Sequence, residues 1–312
     1  MITEVSSSIM RKWCSAIDKT SILTTKSSVA KNFETTGLKY VPMLESDVAT
    51  FTTKTAKQIL KEFKPAETIE EATKRGVEEY GLKAFKFTDI DVANDALYVL
   101  HKIKSKISVP LGITEIIEVP TLGFKGMSCI AADINPTTGV MRIAKTGLVR
   151  SCAARVGTMA QQVPMNKLIE YEDLMIKMHS GKIPMFKLTQ DMEKMGLKAS
   201  KLHDLPFQTL IHEQGHRAHF LSVGKEELFC KMLKLEEIKD CGITDFSIFE
   251  EFMSKEIQDI ISSWEFLGSY AKTSPCEFVA EVYSALIHDI KVPDNIMKLY
   301  NKYNGPMVLG YA

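Results

Sequence analysis

Residues 212–216 read His-Glu-Gln-Gly-His, and this stretch decides the interpretation of the whole chain. His212 and His216 are four positions apart, so on an α-helix both imidazoles project from one face and can hold a single metal ion. Glu213 follows the first histidine, where its carboxylate can take a proton from water. The spacing is the HExxH pattern of zinc-dependent peptidases, and it predicts two metal ligands and a general base. The alternative is a helix whose two histidines only satisfy local hydrogen bonds.

A catalytic zinc ion takes three protein ligands and leaves one position open, so a third ligand must come from elsewhere in the chain. The pattern with a third histidine six residues after His216 is excluded, because Ser222 stands there. His219 is three residues after His216 in the same predicted helix, and we expect that it does not reach round the ion. The better candidate is Glu277, in the stretch 269–281.

Glu277 falls in the first turn of a predicted helix. Ser274 and Pro275 are typical of an N-cap followed by proline, and Glu281 comes one turn after Glu277 on the same side. One carboxylate can therefore bind the metal, while the other accepts the free N–H of a ligand histidine and fixes its tautomer. The alternative is a solvated acidic stripe. The apolar neighbours of the pair disfavour it, since buried carboxylates need a metal or a partner.

These two segments resemble the catalytic domain of anthrax lethal factor and the related Pro-Pro endopeptidases. In that group a tyrosine stands seven residues before the ligand glutamate and a second glutamate stands four residues after it. Tyr270, Glu277 and Glu281 keep both spacings. For Tyr270 alone, the alternative is a packed aromatic side chain. The resemblance implies one site with the following members: zinc ligands His212, His216 and Glu277, general base Glu213, oxyanion donor Tyr270, and Glu281 as the residue that orients a ligand histidine.

The same resemblance implies a fold and a function. We expect an α+β protein whose zincin-like metallopeptidase domain has a small mixed sheet over the HExxH helix and a helical C-terminal half. The expected activity is that of a zinc-dependent endopeptidase with one Zn²⁺ ion, in which Glu213 assists the attack of water on a peptide bound in extended form. The alternative is a virion, toxin or other structural or binding protein that retains a zincin fold without turnover.

Composition narrows the function classes. The chain of 312 residues is 45% hydrophobic, and its 39 basic residues balance 39 acidic ones. Without a basic patch interleaved with aromatics, nucleic-acid binding is not expected. No apolar stretch reaches the length of a membrane helix and no cleavable signal peptide is evident, so we expect a soluble protein without a membrane span. Six scattered cysteines without a CxxC pair favour synthesis in a reducing compartment, and later export or packaging into a particle stays open.

The N-terminal third carries no chemical motif. Residues 1–30 are rich in Ser, Thr and Lys and are predicted to form a flexible arm. An export signal and a packing arm that binds an assembly partner are the alternatives. Residues 31–108 are predicted to form a mainly helical region, from three patterns: Asp47–Phe63 ended by Pro65, Thr68–Tyr80 with a capping box at Thr68 and Glu71 and a C-cap at Gly81, and Asp91–Ile107.

Residues 109–312 are assigned to the catalytic domain. Strands are predicted at Ile113–Val119, and at Ser128–Ile134 and Val140–Ala144, the last two forming a hairpin around the turn 135–139. By resemblance, one strand of this hairpin is the candidate cradle for the extended substrate. Gly215, which costs about 1 kcal/mol relative to alanine inside a helix, predicts the close approach of a neighbouring element. Further helices are predicted at Asn166–Ser180, from Asp204 as N-cap and Pro206 through the HExxH segment, and at Phe249–Leu267.

Overall fold

The computed structural model describes residues 63–120, 122–124, 127–130, 132–144, 202 and 207–310. Four predictions fall on residues outside these ranges: the arm 1–30, the helix 47–63 apart from its last residue, the helix 166–180, and the Asp204-Leu205-Pro206 start of the metal helix.

The described residues form a mixed α+β fold in which most helices follow the strands. The strands are β1 (Ala84–Lys86), β2 (Glu115–Val119), β3 (Leu122–Phe124), β4 (Met127–Ile130), β5 (Ala132–Ile134) and β6 (Val140–Ala144). The helices are α1 (Ile69–Glu78), α2 (Ile90–Lys104), α3 (Gln208–Val223), α4 (Glu226–Cys230), α5 (Leu235–Asp240), α6 (Ser247–Phe252), α7 (Lys255–Ser262), α8 (Pro275–Ile287) and α9 (Asp294–Lys302), with 3-10 turns at Glu265–Leu267 and Tyr270–Lys272.

Four strands form a small mixed sheet in the order β1-β2-β6-β5. The pairs β1–β2 and β2–β6 are parallel, whereas β5 runs antiparallel to β6. The predicted hairpin is confirmed as β5 and β6, joined by a turn in which Asn135 Oδ1 accepts the backbone N–H groups of Thr137 and Thr138. Gly139 closes the turn with a φ of +75°, a conformation that favours glycine. In the described sheet β5 is therefore an edge strand.

The helices predicted at Thr68–Tyr80 and Asp91–Ile107 are confirmed as α1 and α2. Thr68 caps α1 by accepting the N–H of Glu71 at 3.2 Å. The predicted capping box is wrong in its second half, because the Glu71 carboxylate accepts the N–H of Glu67 instead of that of Thr68. Glu79 occupies the C-cap, and Gly81 follows it with a φ of +72°.

A strand that the sequence analysis missed, β1, lies between these helices and joins the sheet at its other edge. One hydrophobic core contains side chains from α1, α2, the sheet, α3 and α8. The division between residues 108 and 109 stays a prediction, although elements on both sides of it contribute to this core.

Two predicted elements are divided in the structure. The predicted strand Ser128–Ile134 is wrong as a single strand, because β4 pairs with β3 whereas β5 pairs with β6. The predicted helix Phe249–Leu267 is wrong as a single helix, because the chain breaks between α6 and α7 and again after α7. Phe252 and Ile257 are five residues apart and would diverge by about 140° on a continuous helix. The break lets both side chains reach the core.

The helix α3, which carries the HExxH residues, begins at Gln208 with Phe207 as its N-cap, whereas the predicted start at Asp204 lies outside the described residues. Phe207 precedes the helix with a φ of +64°, which interrupts helical geometry at that residue. Its ring is buried and lies 5.0 Å from the ring of Tyr98, centroid to centroid. Burial of this aromatic ring thus fixes where α3 begins.

Gly215 confirms the predicted close approach. A Cβ atom at this position would lie 3.1 Å from the Cα of Ala280 and 3.1 Å from the ring of Tyr283, both on α8. These separations are shorter than ordinary van der Waals contact, so an added methyl group would require the neighbouring atoms of α8 to shift by a few tenths of an ångström. The cost of glycine in a helix is therefore offset by the contact between α3 and α8.

We predict that Gly215→Ala lowers the free energy of unfolding by up to about 2 kcal/mol, which is an overpacking cost of about 1–3 kcal/mol less a gain in helix propensity of about 1 kcal/mol. Denaturant titration measures this change. The variant should also bind zinc more weakly, because the predicted ligands lie on the two separated helices.

Gly76→Ala is the matched control, since its Cβ would lie 2.5 Å from Phe85 in another part of the core. It should destabilise the chain without changing zinc affinity. Equal zinc affinity in all three proteins would contradict the prediction.

Candidate metal centre

The helix α3 carries His212 and His216 one turn apart, both buried on the side that faces α8. Their Nε2 atoms lie 3.1 Å from each other. Two imidazole nitrogens at this separation share at most one proton, so at least one lone pair is directed at the other ring. The two nitrogens can therefore share one proton in a hydrogen bond, or both can direct a lone pair at a cation between the rings.

The first turn of α8 places Glu277 opposite the two histidines. Ser274 caps the helix as predicted, with its hydroxyl accepting the N–H of Glu277 at 3.2 Å, and Pro275 occupies the first turn. Both the cap and the proline fix where the helix starts, and thereby the direction in which Glu277 leaves the backbone.

Three donor atoms converge at this point. Glu277 Oε2 lies 3.1 Å from His212 Nε2 and 3.3 Å from His216 Nε2. A tetrahedral zinc ion with ligand bonds of about 2.0–2.1 Å requires donors about 3.3–3.4 Å apart, so the three atoms fit such an ion with small adjustments. Within the described residues, this is the one group of three His, Cys, Asp or Glu side chains that could hold a metal.

The two rejected candidates lie away from this point. His219 is fully buried and its Nε2 lies 2.8 Å from the carbonyl oxygen of Tyr303, to which it donates. Burial lowers the pKa of His219 to about 3, so the ring is neutral. Ser222 is exposed.

Glu281 lies one turn beyond Glu277 and contacts the other side of the same imidazole. Its Oε1 is 3.1 Å from His212 Nδ1. A residue that the sequence analysis missed, Gln208 in the first turn of α3, directs its amide to both oxygens of Glu281 at 3.3 Å. This contact suits the predicted orienting role, because a carboxylate beside Nδ1 favours the tautomer that has its proton on Nδ1 and its lone pair on Nε2.

The ionisable groups of this centre lose their contact with water on burial, and neighbours of opposite charge offset that loss. Burial opposes charge on His212, but the carboxylates of Glu281 and Glu277 outweigh it and hold its pKa well above the ordinary value. Burial likewise opposes the ionisation of Glu277, yet Lys234 and His216 hold the pKa of this carboxyl well below its usual range. For His216 burial prevails, and its pKa is lowered. These directions favour an ionised Glu277 and a His212 that holds a proton more tightly than His216 does.

Glu213 lies on the side of α3 that faces the edge strand β5. It is partly exposed, and its pKa is raised to about 8 by burial, with His212 opposing and Asp133 and Glu277 adding to the increase. A hydrogen bond from the backbone of Ile134 on β5 acts in the opposite direction. A dication beside His212 would lower this pKa by direct attraction.

Tyr270 contacts the outer oxygen of the predicted ligand glutamate. Its hydroxyl donates to Glu277 Oε1 at 2.9 Å, and its ring lies 5.7 Å from that of His212, centroid to centroid. A second residue that the sequence analysis missed shares this oxygen: Lys234 Nζ lies 3.1 Å from Glu277 Oε1. No motif or spacing marks Lys234, because a turn before α5 brings it to the site.

The centre is also tied to the sheet by two residues of α3. Gln214 donates to the carbonyl oxygen of Leu111 at 2.8 Å. Arg217 donates to the carbonyl oxygens of Gly112 at 2.9 Å and of Thr137 at 3.0 Å. The helix that carries Glu213 therefore also holds the turn between β5 and β6.

Comparison with protein-family models, with curated proteins and with solved structures finds no match to this chain. In the part of the chain that the structure describes, no helix combines the length and apolar character needed to cross a membrane.

We predict that zinc affinity falls as the pH decreases and that this fall begins at a pH above 6.5, the ordinary pKa of histidine. The raised pKa means that His212 still carries a proton at that pH, and zinc must displace it. Below the raised pKa, binding should release about one proton from His212 for each ion bound. Competition with a chelating dye across the pH range measures the effect.

Glu281→Gln removes one of the carboxylates that hold this proton, so the fall in affinity should shift to lower pH. Glu226→Gln, on an exposed position of α4, is the control and should leave the profile unchanged. An identical midpoint in Glu281→Gln and the unaltered chain would contradict the assignment of Glu281.

Proposed function

We propose that the protein is a zinc-dependent endopeptidase with a zincin-like catalytic domain, which binds one Zn²⁺ ion through His212, His216 and Glu277. The observation that carries the proposal is the convergence of these three donor atoms within 3.3 Å of one another beside a carboxyl group, Glu213, on the same helix. Two imidazoles and one carboxylate are a ligand set of catalytic zinc sites, which keep a fourth position open.

A zinc ion bound there would supply Lewis-acid activation of water and of the substrate carbonyl. Glu213 then accepts the proton of the attacking water and delivers it to the leaving amine, so that one carboxyl group serves as base and then as acid. Its partly exposed position beside β5 keeps it accessible to water and substrate. Glu281 holds His212 in the tautomer that presents Nε2 to the ion.

The hydroxyl of Tyr270 donates to the oxyanion that develops on the scissile carbonyl. A donor directed at this charge lowers the activation free energy, because the charge appears only as the reaction proceeds and is therefore stabilised in the transition state more than in the ground state. Tyr270 lies beside Glu277 and His212, and its hydroxyl contacts Glu277 Oε1, whereas the two histidines contact Oε2.

The edge strand β5 supports a protein or peptide substrate bound in extended form. It is the last strand of the described sheet, and Glu213 contacts its backbone at Ile134. A peptide that pairs with this edge gains main-chain hydrogen bonds and has its scissile carbonyl held beside α3. Arg217 keeps the adjoining turn fixed to the same helix.

The test is hydrolysis of a peptide library by the zinc-loaded protein. Glu213→Gln keeps the shape of the side chain but cannot take a proton, so kcat/KM should fall by about 10²–10⁴. Zinc affinity should change little, since Glu213 is not a ligand. Glu226→Gln, exposed on α4, is the matched control and should retain full activity.

Removal of zinc with a chelator should abolish cleavage, and zinc should restore it. Cleavage that survives both the chelator and Glu213→Gln would overturn the proposal. Zinc binding without any cleavage would favour the alternative, a binding or structural protein that keeps the metal site without turnover.

A further inference from the structure

Lys234 places a buried cation directly against the predicted metal centre. Its Nζ lies 3.1 Å from Glu277 Oε1 and 3.4 Å from the hydroxyl oxygen of Tyr270. The same nitrogen is 4.8 Å from the centroid of the Tyr270 ring, a cation–π distance. The residue is only 8% exposed, so these contacts act with little screening by water.

The turn that carries Lys234 is fixed by contacts on both sides. The carbonyl oxygen of Met232 accepts the N–H of Cys276, in the first turn of α8, at 3.3 Å. Met232 and Leu233 pack with Cys276 in a small core of their own. The backbone N–H of Lys234 lies 3.4 Å from Glu237 Oε2. The lysine is therefore positioned by the same turn of α8 that positions Glu277.

The hydrogen-bond capacity of the three groups decides what Lys234 can do. The phenol of Tyr270 has one proton, and in this structure it is donated to Glu277 Oε1. That proton cannot serve an oxyanion at the same time. If it turned away without a substitute, a buried carboxylate oxygen would lose a donor, at the desolvation cost of an unsatisfied ionised group.

An ammonium group has three donors and can supply the substitute. Lys234 already lies within reach of Glu277 Oε1 and of the Tyr270 oxygen. Its bond to Glu277 persists when the phenol proton turns toward substrate, and its bond to the phenol oxygen makes the O–H a stronger donor. A lysine in this place thus removes the competition between the two acceptors of Tyr270.

We propose that Lys234 is a positioning residue that takes over Glu277 Oε1 and thereby frees the hydroxyl of Tyr270 to stabilise the oxyanion. The inference rests on the proposed peptidase function and deepens it. It assigns Lys234 to the reaction through Tyr270, without direct contact with the metal or the substrate.

The first test is a double-mutant cycle with Lys234→Met and Tyr270→Phe in the zinc-loaded protein. Tyr270→Phe removes one oxyanion donor and should lower kcat by about 10²-fold. Lys234→Met should lower kcat by about tenfold with KM within about threefold, because only transition-state stabilisation is lost. In the Tyr270→Phe background, Lys234→Met should have almost no further effect on kcat, because its action passes through the absent hydroxyl.

Two variants complete the series. Lys234→Arg keeps the charge and the donors and should retain most of the activity. Lys231→Met is the matched control, because this lysine lies on the same segment but pairs with Glu227 and Asp245. It should leave kcat unchanged. Lys234→Leu replaces Lys234→Met in the cycle should the methionine variant fail to fold.

The second test measures zinc affinity by competition with a chelator and needs no activity. Lys234→Met removes a positive charge beside Glu277. Zinc affinity should therefore stay within about threefold of that of the unaltered chain or increase, because the ammonium group no longer repels the zinc cation. A larger weakening in Lys234→Met would show that Lys234 only supports the ligand set, and would overturn the inference.

The cycle separates failure of the inference from failure of the function. Full activity in Glu213→Gln would overturn the proposed function. A different result would overturn the role of Lys234 alone. In that result Glu213→Gln and Tyr270→Phe both lose activity, but Lys234→Met lowers kcat by the same factor with and without the Tyr270 hydroxyl.

Discussion

The close contact between α3 and α8 is the constraint on which the candidate centre depends. A carboxylate on one helix reaches an imidazole on another only when the two helices pack closely against each other. Gly215 makes this possible by leaving room for the backbone of α8 at Ala280. Each helix then offers two polar side chains one turn apart, His212 and His216 from α3, Glu277 and Glu281 from α8.

Charge balance explains why so many ionisable groups remain buried at this contact. Each would be penalised by the loss of water, and each lies against a group of opposite charge or a donor. Glu277 shows the principle most clearly. Its inner oxygen lies between two imidazoles and its outer oxygen is shared by Tyr270 and Lys234. The same residue would bind the metal and orient the groups around it.

The sheet is joined to this centre through α3. Gln214 and Arg217, which flank His216 in the chain, donate to backbone carbonyls of the segment before β2 and of the turn before β6. Glu213 contacts β5 through the backbone of Ile134. The separation between Glu213 and the edge strand is therefore set by one helix.

The sequence by itself determined what depends on local geometry. Three such features could be predicted, because a helical turn, an N-cap and a tight turn are encoded by neighbouring residues. They are the spacing of His212 and His216, the cap at Ser274 before Pro275, and the hairpin turn at residues 135–139. The glycine at position 215 also indicated a close approach, although not the element that makes it. The pairing of the two glutamates with the histidines could be expected from the resemblance, and only the fold brought these atoms together.

Only the tertiary structure decided what depends on distant packing. Burial of Phe207 against Tyr98 sets the start of α3 at Gln208. The need to bury both Phe252 and Ile257 breaks a helix that looked continuous. Lys234 reaches Glu277 because a turn packs on α8, and Arg217 reaches a turn eighty residues earlier. Such contacts join segments that are far apart in the chain. Local sequence patterns do not predict them, because the free energy that forms them comes from packing in the shared core.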